Sequence, residues 1–172
     1  EAMGTTTKTI GEHDEMKDVP NNVAFPLSSV IRWKFDAPKT IDPFDLFWYD
    51  GGMRPPTPPE LETDLKEFES EGMMFVGDKG KILGGFRCEN PVIIPESRMI
   101  EVTGAKEITL SRPSINATDV WIEAIREGKS SPGNFTSSWP ILETAHLAAV
   151  ALRAGRKIHY DHRKMRITNN DD

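Results

Sequence analysis

Residues 50–59, DGGMRPPTPP, contain four prolines and two glycines. Proline fixes φ and has no amide hydrogen, and glycine loses the most conformational freedom on ordering, so this stretch excludes both a continuous helix and a sheet ladder. The chain therefore has to build its regular elements on either side of this break.

The residues before the break predict a pair of antiparallel strands. Residues 28–35, SSVIRWKF, alternate with a period of two, and one face carries Ile31, Trp33 and Phe35. This period is typical of a half-buried strand. Residues 44–49, FDLFWY, have apolar side chains on both faces, so we expect this second strand to be covered on both sides. The short separation of the two runs favours antiparallel pairing.

The residues after the break predict a short helix, a hairpin and further strands. The segment ELETDLKEFESEG has helical spacing of its apolar residues, which are Leu61, Leu65 and Phe68. The segment MMFVGDKGKILGGF indicates a hairpin that turns at Asp78-Lys79-Gly80, with strand signals on both sides rather than the helix that a phosphate-binding loop needs. Residues 92–94 and 99–102 predict two more short strands.

Two longer helices are predicted towards the end of the chain. Asn116 or Thr118 is expected to cap the first, which Gly128 ends. Ser138 is expected to cap the second, with Pro140 in its first turn and Gly155 at its end. The segments KIHYD and KMRIT then predict two further short strands.

Strands that occur in runs, rather than in regular alternation with helices, indicate the α+β class. We therefore expect an open, mainly antiparallel β-sheet with two or three helices on one face. The expected organisation is an entering arm (residues 1–26), a single domain (27–168) and a polar tail (169–172).

Charge and cysteine content restrict the function classes. The 172 residues include 21 Lys and Arg against 27 Asp and Glu, a net charge of −6, which argues against a nucleic-acid partner. Cys88 is the single cysteine, so an internal disulfide and a cysteine-based zinc site are excluded. No apolar run approaches the roughly 20 residues that span a bilayer, so no membrane partner is expected.

The stretch that most resembles a binding site is FWYDGGMR, residues 47–54, and its candidate substrate-binding residues are Trp48, Tyr49, Asp50 and Arg54. Aromatic faces stack on sugar rings, while a carboxylate and a guanidinium bind hydroxyl groups or anions. The alternative interpretation is a twisted strand end, which is aromatic because it packs and contains glycine because it turns.

A metal site has one candidate, the cluster of His159, Asp161 and His162, whose side chains are of the types that hold a divalent ion. The alternative, which we favour, is a solvated strand end that leads into a turn. No metal ligand is therefore assigned.

Four segments in a fixed order resemble the C-terminal part of the glucose–fructose oxidoreductase / inositol dehydrogenase / MocA family. They are SVIRWKFDAP, FDLFWYDGGMRPPTPPEL, GMMFVGDKGKILGGF and NFTSSWPILETAHLAAVALRAGRKIHYD. The resemblance covers the chain from about Phe25 onward and is closest to a bacterial branch with WYDGG and GDKG segments.

The resemblance implies a two-part enzyme. Family members bind NAD or NADP on an N-terminal Rossmann domain and oxidise sugars and polyols by hydride transfer at the junction with a C-terminal sheet domain. One face of that sheet commonly packs against a second subunit.

This sequence lacks the G-x-G-x-x-G fingerprint and the Glu-Lys-Pro and Gly-Asp-x-Gly-x-His segments of the family. No catalytic or cofactor-binding residue is therefore assigned, and the chain is expected to be inactive alone, as the substrate-side and oligomerisation domain of such an oxidoreductase. The expected partners are a missing Rossmann domain with its NAD or NADP, a sugar or polyol, and a second copy through the sheet face. The alternative is a stand-alone carbohydrate-binding or protein-interaction module without catalytic activity.

Overall fold

The structure is a computed structural model that describes residues 1–4, 7–10, 15–19, 23–36, 41–104 and 116–169. Within these residues the chain forms ten short strands and four helices, which confirms the α+β class. The contacts divide the chain into unit 1, which is Glu1–Pro55 with Trp121–Asp172, and unit 2, which is Pro56–Val120. The predicted limits of arm, domain and tail stay predictions, and residues 170–172 of the tail lie outside the described residues.

Unit 1 contains a three-stranded antiparallel sheet in the order β1-β4-β5, and its strands are β1 (Ala2–Gly4), β4 (Ser29–Phe35) and β5 (Phe44–Tyr49). The predicted antiparallel pairing of the two apolar runs is confirmed, because Ile31 lies opposite Trp48 and Trp33 opposite Leu46. The central strand thus has a neighbour on each side, whereas β5 is an edge strand of this sheet.

The strands do not form one open sheet. Besides β1-β4-β5, the described residues form three further small antiparallel sheets. The first is β2 (Thr7–Ile10) with β3 (Met16–Val19), the second is β6 (Met73–Gly77), β7 (Gly80–Gly84) and β8 (Val92–Ile94), and the third is β9 (Tyr160–Asp161) with β10 (Arg166–Ile167). The proline-rich break and the intervening helices interrupt the strand runs, so the ladders stay short.

In unit 2 the predicted hairpin is confirmed as β6 and β7, and residues 92–94 form β8. Helix α1 (Pro59–Thr63) is shorter than the apolar spacing suggested. Leu65 has a φ of 54°, which is outside the helical range, and it is 95 % exposed rather than part of an apolar helix face. The strand predicted at 99–102 is wrong, since these residues lie in helix α2 (Glu96–Thr103). Gly104 ends α2 in the left-handed conformation that glycine adopts readily. This glycine is a helix-ending signal in the sequence, but the prediction of a strand relied on the short apolar run before it.

The two longer helices occur near their predicted positions. Helix α3 (Ala117–Arg126) begins where the Asn116 side chain accepts the Thr118 amide at 2.9 Å, as expected. Helix α4 (Phe135–Ala154) begins earlier than predicted, because Asn134, not Ser138, accepts a capping bond, from the Ser137 amide. Pro140 therefore lies inside α4 rather than in its first turn, and Gly155 ends the helix as predicted.

The apolar core of the described residues is small. Its buried members are Ile31, Leu61, Ile94, Ala148 and Ala151. In unit 1, the Trp33 indole nitrogen donates to the Thr144 carbonyl of α4 at 2.9 Å, which ties the helix to the central strand. None of the described helices is long and apolar enough to cross a membrane.

The expectation that β5 is covered on both sides is wrong. Four of its apolar side chains remain between 43 % and 50 % exposed: Phe44, Leu46, Phe47 and Trp48. The physical reason is the position of β5 at the sheet edge. Helix α4 contacts the sheet at the central strand, through the Trp33 indole, and β5 lies to the side of this contact.

Candidate functional site

The candidate site lies where β5 ends. There the Asp50 carboxylate accepts hydrogen bonds from the Ser29 amide at 2.5 Å and from the Ser29 hydroxyl at 3.0 Å. The Trp48 indole nitrogen donates to the same carboxylate at 3.0 Å. Asp50 therefore joins the start of β4 to the end of β5 and also orients an aromatic ring.

A tight turn of two glycines follows Asp50. The Met53 amide donates to the Asp50 carbonyl at 3.1 Å, and the intervening Gly51 and Gly52 have φ values of 60° and 88°. A Cβ atom on Gly51 would lie 2.0 Å from the Leu27 carbonyl oxygen, whereas one on Gly52 would meet nothing within 4 Å. Glycine is required at position 51 both for its conformation and for this close approach.

The predicted residues are only partly brought together. Trp48 and Asp50 are joined by their hydrogen bond, and Trp48 stays 49 % exposed. Tyr49 follows Trp48 in the strand, so it lies on the other face, where it stacks on Phe47 with ring centroids 6.4 Å apart. Arg54 lies beyond the turn with an exposed side chain. These four residues accordingly do not form one enclosed pocket.

Two open cavities among the described residues lie elsewhere. In unit 1, a cavity of about 400 Å³ is found at the opposite end of the β4–β5 pair, where Phe35 and Phe44 contribute to its lining. In unit 2, a cavity of about 510 Å³ is lined by charged side chains that include Glu60 and Arg98. Neither cavity contains a predicted site residue.

A second polar cluster was missed by the sequence analysis. The Glu143 carboxylate on α4 accepts the Tyr160 hydroxyl at 2.6 Å, and its other oxygen lies 2.6 Å from Nδ1 of His162. The Glu143 side chain is only 11 % exposed. The hydrogen bond from Tyr160 lowers the pKa of Glu143, and the same bond raises the pKa of Tyr160. No spacing in the sequence signals this cluster, since its two elements are joined only by tertiary packing.

The same cluster bears on the alternative metal site. His162 is directed to Glu143, and the Asp161 carboxylate accepts the Lys164 amide at 3.1 Å. Across the described residues, no group of three or more His, Cys, Asp or Glu side chains is placed to hold a metal ion.

A dinucleotide does not fit the described residues. Its phosphates need a glycine-rich turn that leads from a strand into a helix, where amide groups point at the anion. The glycine-rich segment of this chain is instead the β6–β7 hairpin, in which Gly77 lies opposite Gly80.

No family model matches this chain, and no curated protein or solved structure is significantly similar to it. The resemblance of the four segments therefore stays a prediction.

Proposed function

We propose that this chain is the substrate-side and oligomerisation domain of an NAD(P)-dependent oxidoreductase that acts on a sugar or polyol, and that it is inactive by itself. The resemblance supplies the class of enzyme. The observation that carries the proposal is β5, an exposed aromatic strand that ends in the fixed turn of Asp50, Gly51 and Gly52.

The end of β5 suits a substrate with many hydroxyl groups. The Trp48 ring is oriented by Asp50 while its surface remains half exposed, so a sugar ring can stack on it without first ordering the indole. Arg54 is exposed one residue beyond the turn and supplies a donor for a hydroxyl group or an anion.

The apolar surface of β5 supports association. Phe44, Leu46 and Trp48 share one face of the strand and remain 43–50 % exposed, and an exposed apolar patch of this kind usually marks an interface. The second copy of the chain is the partner that we propose for the three-stranded sheet of unit 1.

The nicotinamide cofactor belongs to a different domain in this proposal. The described residues do not fit a dinucleotide, so this chain contributes to binding and orienting the substrate and to subunit contacts. Hydride transfer requires the Rossmann domain that the resemblance implies.

The test is to read the coding sequence upstream of Glu1 and to express the complete reading frame. We expect a glycine-rich βαβ unit there, and reduction of NAD⁺ or NADP⁺ with at least one member of a panel of sugars and polyols. Arg54→Ala should raise KM for that substrate about tenfold, as expected for the loss of a charged hydrogen bond. Arg163→Ala, in the exposed β9–β10 turn, is the matched control and should leave KM unchanged.

Two results would contradict the proposal. One is a reading frame without a dinucleotide-binding unit. The other is a complete protein that binds NAD or NADP but reduces neither with any sugar or polyol of the panel.

A second candidate function is a stand-alone carbohydrate-binding module, which the oriented and half-exposed Trp48 indole favours. In that case the 172-residue chain alone should bind sugars with a change in tryptophan fluorescence. Trp48→Phe should abolish the change, and Trp121→Phe, at a helix position that is 56 % exposed, should preserve it.

A further inference from the structure

The outer edge of β5 has free hydrogen-bonding groups whose positions follow from the ladder. The Asp50 amide donates to the Ser29 carbonyl at 3.1 Å, so even-numbered residues of β5 direct their backbone groups to β4. The opposite edge of β4 shows the alternation independently, because the Arg32 amide donates to the Glu1 carbonyl on the β1 side at 2.8 Å. The amides and carbonyls of Asp45, Phe47 and Tyr49 therefore point away from β4, and none of the described strands lies on that side of β5.

This edge has few of the features by which edge strands usually avoid pairing. Lysine, proline and a bulge are the common devices, and β5 contains none of them. Asp45 is the one charged residue among the three outward positions, and Arg32 of the neighbouring strand engages its carboxylate at 2.5 Å. Phe47 lies under the same guanidinium, 5.4 Å from the ring centroid, so the centre of the edge is apolar and ordered.

We propose that β5 pairs antiparallel with β5 of a second copy, with Phe47 on the two-fold axis, to give a continuous six-stranded sheet. This inference rests on the proposed role in oligomerisation. It places the contact at the edge of β5, not at the sheet face that the sequence led us to expect, and it specifies the register. Phe47 then faces Phe47 of the partner copy, and Asp45 faces the partner's Tyr49. The three outward residues of each strand form about six backbone hydrogen bonds in this register.

Other registers are less favourable. A pairing centred on Asp45 places two carboxylates directly opposite each other, which is destabilising. Pairings centred on Leu46 or Trp48 leave one of the three outward residues of each strand unpaired. The register centred on Phe47 uses all three and places Leu46 beside the partner's Trp48 on the other face.

The first experiment measures the oligomeric state of the 172-residue chain by light scattering at micromolar concentration. Phe47→Pro removes an outward amide but no bond to β4, so we expect a folded protein whose dimer dissociation constant rises about tenfold or more. Phe47→Ala keeps the amide and is the matched control, for which we expect a smaller increase. A wild-type monomer would contradict the proposed association itself. A dimer that persists unchanged in Phe47→Pro would contradict only the edge pairing.

A second experiment does not depend on the folding of the proline variant. In a Cys88→Ser background, Phe47→Cys should form an intermolecular disulfide with diamide, because paired residues on the axis have Cα atoms about 5.5 Å apart. Met3→Cys on β1 is the control, since the two copies of β1 lie five strand spacings apart, about 24 Å, and should not cross-link. Equal cross-linking at both positions, or none at Phe47, would overturn the register.

Discussion

Ser29 donates both its backbone amide and its hydroxyl to the carboxylate of Asp50. Ser29 is 5 % exposed, so these groups have little access to water and depend on this one acceptor. The pair closes the β4–β5 unit at the end where the candidate binding residues lie.

Replacement of Asp50 should destabilise unit 1. Asp50→Ala leaves the buried Ser29 amide without its acceptor, so we expect the free energy of unfolding to fall by about 1–3 kcal/mol. Urea denaturation followed by circular dichroism measures the change. Asp42→Ala, at an exposed position before β5, is the control and should stay within about 0.5 kcal/mol of wild type.

The two turn glycines should respond differently to alanine. Both have positive φ, so each substitution costs about 1–2 kcal/mol in backbone strain. Gly51→Ala also places Cβ 2.0 Å from the Leu27 carbonyl oxygen, and Gly52→Ala places it in open space. Thermal denaturation of the two variants should therefore show a clearly lower Tm for Gly51→Ala, and equal Tm values would refute the close approach.

Glu143→Gln should weaken the attachment of the β9–β10 pair to α4 in a pH-dependent way. Because the pKa of Glu143 is lowered below its usual 4.5, its contribution to stability is present above pH 4.5 and is lost as the pH falls through the folded pKa. The urea midpoint of the variant should lie below that of wild type at pH 7, and the gap should narrow as the pH falls below 4.5. Glu123→Gln on the exposed side of α3 is the control, and a gap that does not change with pH would contradict the assignment.

Leu61 and Leu65 should differ in their importance to unit 2, although the sequence places both on one helix face. Leu61 is 2 % exposed and Leu65 is 95 % exposed. Leu61→Ala should lower the free energy of unfolding by about 2–3 kcal/mol, whereas Leu65→Ala should have little effect. Comparable losses in denaturant titrations of both variants would show that the helix continues beyond Asp64.

Features that depend on local sequence could be predicted, whereas contacts between residues far apart in the sequence could not. The alternation in residues 28–35 and the short separation from 44–49 predicted the β4–β5 pair, because period and chain length are local properties. The bond between Ser29 and Asp50, and that between Glu143 and Tyr160, join residues 21 and 17 positions apart and leave no periodic trace.

The errors at Leu65 and at residues 99–102 have a related cause. A few apolar residues fix neither the type of an element nor the residue at which it ends, so the terminating signals decide both. At α2 the signal was Gly104, and at α1 it was the positive φ of Leu65, which its residue type does not predict. The burial of β5 was overestimated, because apolar side chains on both faces of a strand do not show whether the same chain packs against either face.

The alternation along β4 has a consequence for hydrogen exchange. The Arg32 amide is held by β1, and the amides that point the other way are held by β5. Fraying of β1 and fraying of β5 would therefore accelerate exchange at alternate residues of one strand. Exchange rates along the central strand of the wild-type protein would therefore report the opening of β1 and the opening of β5 separately, at alternate residues.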